Sequence, residues 1–156
     1  MLRIRRVRLR KDGTVELRLT PPEQDLLRSL PRQVVTLLGE SDDPATKRLL
    51  PPAYQDDPEA EADFEAMVGD DLRERHREAL ELLATSADAR TLTPEQADAW
   101  LRALNAVRLV LGQRLDIHED TVVPPPGSDV HLFAVYAFLS QLQALLVDAL
   151  ATRMPG

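Results

Sequence analysis

Three observations predict a mainly α fold, a bundle of about four main helices with an N-terminal β-hairpin packed on it. Apolar residues recur at three- and four-residue steps over most of the chain beyond residue 20, the spacing of one helical face. The first twenty residues alternate at period two instead. Aromatic side chains supply only 4% of a sequence that is 44% hydrophobic, so the core must be built from Leu, Val and Ala, which favours helices over a sandwich of sheets. With 156 residues, a single domain over 1–156 is expected, the hairpin taking 1–20 and the bundle 21–152.

The hairpin segment is LRIRRVRLRKDGTVELRLT, and the phase of its alternation selects the turn. A two-residue Asp12-Gly13 turn would set Leu9 against Glu16 and mix the faces. A three-residue Lys11-Asp12-Gly13 loop pairs Leu9 with Val15 and Val7 with Leu17, keeping one face apolar, and asks for Gly13 in the left-handed region of a G1 bulge. Leu2 and Ile4 have the opposite parity, so Arg5-Arg6 is expected to mark a second bulge that returns Ile4 to the apolar face beside Leu19. A lone hairpin is marginal and has to pack on helices.

Thr20 followed by Pro21, Pro22 and Glu23 is a capping box with proline in the first turn, so the first helix starts there. Its apolar positions run from Leu26 to Leu38, with a stop near Gly39 and a bend or brief interruption at Pro31. Asp42, Asp43 and Pro44 form a loop that leads to a short turn ending at Leu49 and Leu50, and Pro51-Pro52 then forces extended backbone. Asp57 before Pro58 caps the second helix, which carries Phe64, Met67, Leu72, Leu80 and Leu83, with Gly69 a candidate interruption. Thr93-Pro94-Glu95-Gln96 repeats the capping-box logic and opens the third. After residue 115 the linker DIHEDTVVPPPGSD, with three prolines and Gly127, cannot continue a helix. The fourth helix runs from about Val130 to Thr152 and is apolar around more than half its circumference, so it is either the centre of the bundle or a dimer seam.

Composition excludes several kinds of chemistry. There is no Cys, which removes disulfides, thiolate catalysis, Cys-based zinc sites and thiol redox sensing together. The histidines His76, His118 and His131 are scattered, with no pair one helical turn apart, and no metal or cofactor is expected. Asp116, His118, Glu119 and Asp120 form the densest ligand cluster, but without the glycine or ligand order of a calcium loop they read as a solvated acidic loop. No phosphate-binding glycine motif or nucleophile elbow is present, and no catalytic residue is proposed. No signal peptide and no run of roughly 18 apolar residues is found. A soluble, cytoplasmic protein without membrane contact is the expectation.

Charge is divided unevenly. Residues 1 to 18 hold seven basic groups, Arg3, Arg5, Arg6, Arg8, Arg10, Lys11 and Arg18, against Asp12 and Glu16. That balance of +5 leaves −12 on the remainder of a chain whose total is −7. A basic arm can bind phosphates by releasing counterions. Arginines also keep a free edge strand soluble, and an acidic body repels a polyanion, so nucleic acid is not the expected partner.

The third helix carries the one polar constellation that stands out. Arg108 falls in the stripe of Leu101, Leu104, Leu111 and Leu115, and a guanidinium there must find a carboxylate, reach solvent along its stem, or meet an anionic partner. Arg102, Asn105 and Arg108 are three residues apart and rise along neighbouring faces. They make either an anion or partner pocket, or a structural set in which Arg108 pairs with Asp57, Glu59 or Asp148. Trp100 reads as core or seam, and Tyr54 as a plug of the proline loop.

Leu50-Pro51-Pro52-Ala53-Tyr54, Asp57-Pro58, and Trp100, Leu101, Arg102, Leu104, Asn105, Arg108, Leu111 and Gly112 carry a resemblance to a known family. Over nearly its whole length the chain resembles a bacterial family of proteins of unknown function encoded beside the protease adaptor ClpS, which includes AosR-like oxidative-stress regulators of actinobacteria. The resemblance implies a non-enzymatic regulatory or adaptor-like module that acts through a protein partner, a sigma factor or the proteolysis machinery, with Tyr54, Asp57, Arg102, Asn105 and Arg108 as candidate contacts. Redox regulation in such proteins needs a cysteine pair, so thiol sensing does not carry over. A homodimer through the last helix is a further expectation. The competing readings are a small-molecule or metal-dependent enzyme with a pocket in the helical bundle gathering Arg102, Asn105, Arg108 and a perturbed carboxylate, and direct DNA binding through the basic hairpin.

Overall fold

The computed structural model describes residues 6–39, 57–64, 70–115 and 129–152. Strands β1 (Val7–Leu9) and β2 (Val15–Leu17) pair antiparallel with Val7 opposite Leu17 and Leu9 opposite Val15. This is the register of the three-residue loop. Gly13 has φ +89°, and the turn closes through Gly13 N–H to the Arg10 carbonyl at 3.0 Å and Arg10 N–H to the Thr14 carbonyl at 2.8 Å. Asp12 Oδ1 accepts from the Thr14 N–H (3.0 Å) and hydroxyl (2.6 Å), which fixes the loop from within. The expected bulge at Arg5-Arg6 and the placement of Ile4 lie outside the described residues.

The hairpin is extended by a strand absent from the sequence reading. Strand β3 (Thr91–Leu92) pairs antiparallel with β2, setting Leu92 against Val15 and Thr91 against Glu16, so the sheet has the order β1-β2-β3. Two residues are too few to show a period. Their pairing instead follows from where the preceding helix ends, and Leu92 is fully buried with Val15 and Leu17 beneath the sheet.

Helix α1 (Pro21–Leu38) begins at the capping box read from sequence: Thr20 Oγ1 accepts from Glu23 N–H at 3.3 Å, and Glu23 Oε1 accepts from Thr20 N–H at 2.9 Å. The helix continues through Pro31 without interruption, and Pro31 is itself buried beside Leu27 and Val34. Packing of that face outweighs the lost N–H. The second predicted helix is found as α2 (Pro58–Phe64) and α3 (Asp70–Thr85); Gly69 lies outside the described residues. Asp57 Oδ1 caps α2, accepting from Glu59 N–H (3.2 Å) and Ala60 N–H (3.1 Å).

Helix α4 (Pro94–Leu115) is the axis of the fold. Its capping box is closed by Thr93 and Gln96 at 2.9 and 3.2 Å. Buried Ala97, Ala99, Ala103 and Ala106 keep its surface low, so α1, α3 and the last helix, α5 (Val130–Ala151), all pack against it. Trp100 is 0% exposed, and its indole Nε1 donates to Ser86 Oγ at 2.8 Å, which satisfies the only polar atom of that ring.

Helix α5, capped by Asp129, packs on α4 and β1 through Val135, Leu139, Leu142, Leu146 and Ala149. The alternative that placed it at the bundle centre is corrected, since α4 occupies that position. By length and composition α5 is long and apolar enough to cross a membrane, with mean hydropathy 1.7, because Ser140, Gln141 and Gln143 interrupt its apolar run without adding charge.

Candidate functional site

Successive three-residue steps along a helix turn through about 300°, so Arg102 and Arg108 stand about 120° apart around α4. The neighbours of α4 decide the consequence. Arg102 and Asn105 are exposed and line an open groove of about 610 Å³ between α3 and α4, with a floor that includes Ala79, Leu82 and Ala99. Arg108 faces α5. Among the described residues, the groove that takes Arg102 and Asn105 does not take Arg108.

Arg108 is half-buried, and its partners correct the expected ion pair. Its Nε donates to Ser140 Oγ at 2.9 Å, an Nη donates to Gln143 Oε1, and the guanidinium lies over the Tyr136 ring, 5.5 Å from the centroid. Among the described residues no carboxylate reaches it; Asp57 caps α2, and neither Glu59 nor Asp148 forms an ion pair with it. The charge is instead held by two neutral acceptors and a π face, with partial access to water. Tyr136, Ser140 and Gln143 are spaced four and three residues apart on one side of α5. That spacing is visible in the sequence, but the outcomes weighed there, a carboxylate, solvent or an anionic partner, did not include neutral acceptors on a neighbouring helix.

The other candidates divide. Tyr54, Arg3, Arg5 and the Asp116–Asp120 cluster lie outside the described residues. Among the described residues no group of three or more His, Asp or Glu side chains is placed to hold a metal ion. Arg6 turns away from the hairpin surface to Glu23 at 2.5 Å. Burial pushes the Glu23 carboxyl up, yet the Thr20 N–H and the Arg6 guanidinium outweigh it and hold that carboxyl below its ordinary value. Arg8 and Arg18 converge on Glu16 at 3.2 and 3.1 Å, and the hydrogen bond from Arg18 leads the effects that lower the Glu16 carboxyl. Arg10 and Lys11 are exposed, with no ion pair among the described residues.

Comparison with known proteins fixes the family. Residues 3–150 match the family described as a domain of unknown function, DUF2017. The chain belongs to the DUF2017 family. Curated relatives include proteins named oxidative stress regulator AosR from Mycobacterium tuberculosis and Mycobacterium bovis, each 30% identical over 93% of this chain and 86% of its own length. A Mycobacterium leprae protein with the AosR designation is 33% identical over 70% of this chain, which spans 59% of that relative's length. No solved structure matches this DUF2017 chain.

Proposed function

We propose that this chain is a non-enzymatic regulatory protein that works through protein contacts, and that the outer face of α5 is the seam at which a second copy docks. The observation that carries the reading is the exposure of α5. In its most apolar stretch only 22% of residues are buried, and Val130 and Val147 are 68% and 48% exposed. An apolar helix with one side packed and the other open needs a second partner. The regulatory part of the reading is supported by the names of the AosR relatives.

The face is suited to its own copy. Val130, Ala134, Ala137, Gln141, Ala144, Asp148 and Ala151 are all exposed and recur at alternating four- and three-residue steps, the spacing of a helix–helix seam. Alanines at four of these positions allow close approach. Gln141 lies near the midpoint, so a twofold axis there sets the amide against its own counterpart, where it both donates and accepts. Antiparallel order also keeps the two Asp148 carboxylates about 20 Å apart, whereas parallel order would bring them together.

Sedimentation of the full chain across a concentration series tests this. A reversible dimer is expected, converted to monomer by Ala137→Arg combined with Ala144→Arg while thermal melting still shows a folded protein. A wild type that stays monomeric at all concentrations, or that partitions onto lipid vesicles through α5, overturns the dimer reading.

A further inference from the structure

The structure gathers cations that the sequence holds apart. Pairing of β3 with β2 brings Arg90 to the sheet, where the Arg90 carbonyl accepts from Leu17 N–H at 2.7 Å. Arg10, Glu16, Arg18 and Arg90 then line one open depression of about 520 Å³, next to a second formed by Arg8, Arg10, Lys11 and Asp12. Five cations, Arg10 and Lys11 from the turn end and Arg8, Arg18 and Arg90 further along, thus line these two adjoining depressions together with two carboxylates. Asp12 is tied to the Thr14 hydroxyl and N–H inside the turn. Glu16, opposite Arg8 in the register, takes one guanidinium from each side and fixes the directions of Arg8 and Arg18. Arg10, Lys11 and Arg90 remain exposed, without an ion-pair partner among the described residues, in a chain of net charge −7.

We propose that the surface formed by these two adjoining depressions is a docking surface for an acidic polypeptide segment of a partner protein, with Arg10, Lys11 and Arg90 as the residues that contact its carboxylates. Charge complementarity selects the occupant. Guanidinium groups match carboxylates in two-pronged geometry, and backbone hydrogen bonds tie Arg10 (N–H to the Thr14 carbonyl) and Arg90 (carbonyl from the Leu17 N–H) to β2 and its turn. The patch is small: three strands about 4.8 Å apart give a width of roughly 10 Å. That suits a few carboxylates on a peptide. A duplex needs many phosphate contacts along a stripe, and the acidic remainder of this chain repels it. Arg6 does not take part, because Glu23 holds it. The surface is separate from the outer face of α5, so the two can fail independently.

Fluorescence anisotropy of the full chain with a labelled decaglutamate peptide, and separately with a short mixed-sequence duplex DNA, tests the proposal at low and physiological salt. The peptide should bind at low salt and weaken as salt rises. Arg10→Glu, Lys11→Glu and Arg90→Glu combined should weaken it about tenfold or more, whereas Arg28→Glu with Arg32→Glu on α1 should leave it within about twofold. Thermal melting checks that each variant folds; if the triple reversal does not, the triple Gln variant takes its place and must also weaken the peptide. No peptide binding at low salt, equal loss in the α1 variant, or tighter binding of the duplex than of the peptide overturns it.

Discussion

Replacing Arg108 with Met separates two accounts of how a half-buried guanidinium is held. Had Arg108 paired with a buried carboxylate, its loss would leave that charge uncompensated, a cost of roughly 3 to 5 kcal/mol. Its actual partners are Ser140, Gln143 and the Tyr136 ring. A hydrogen bond to a charged group contributes about 1.5 to 3 kcal/mol, and a partly exposed cation–π contact about 0.5 to 1. Against this, Ser140 and Gln143 are only half-buried and recover water, while Met keeps the apolar stem packed on α5. The expected net loss is about 1 to 3 kcal/mol, or roughly 3 to 10 °C in melting temperature for a domain of this size. Urea unfolding followed by fluorescence of Trp100, the one tryptophan and a fully buried one, measures it directly. Adding Asp148→Asn should recover nothing. A loss above 4 kcal/mol that Asp148→Asn partly restores would refute the neutral-acceptor account, and an unchanged midpoint in the single variant would show that the contacts are without weight.

Two further outcomes follow from the same geometry. Gly13→Val should cost about 1 to 2 kcal/mol, because the +89° φ strains a β-branched residue although the space around a new Cβ is open; Gly13→Asn should cost less, and equal melting of the two variants would contradict the turn argument. The Glu23 carboxyl, held below its ordinary 4.5, contributes stability that is complete above that value and lost as pH falls through the lowered folded value. Arg6→Gln should move the Glu23 titration midpoint, read by carboxyl NMR, upward towards 4.5; an unmoved midpoint would remove Arg6 from the account.

Much of the local structure was legible in the sequence because its causes are local. The phase of alternation around Lys11-Asp12-Gly13 allowed one register that kept Val7, Leu9, Val15 and Leu17 on one face, and that register is the one found. Thr20 with Glu23 and Thr93 with Gln96 satisfy helix-start N–H groups within three residues, so no distant partner can change where α1 and α4 begin. The resemblance read from the motifs around Asp57 and along α4 agrees with the family match over residues 3–150.

Tertiary structure decided what depends on how elements rotate against one another. Two residues at Thr91 carry no period, yet β2 offers them an unpaired edge and makes them a strand. Arg102, Asn105 and Arg108 share a spacing, but α3 lies on one side of α4 and α5 on another, so two of them open a groove while the third is held by α5. The apolar circumference of α5 specified burial without saying by what. Only the packing of α4 and β1 against one side shows that the other is left open, because hydrophobic burial is non-directional and any neighbour of the right shape satisfies it.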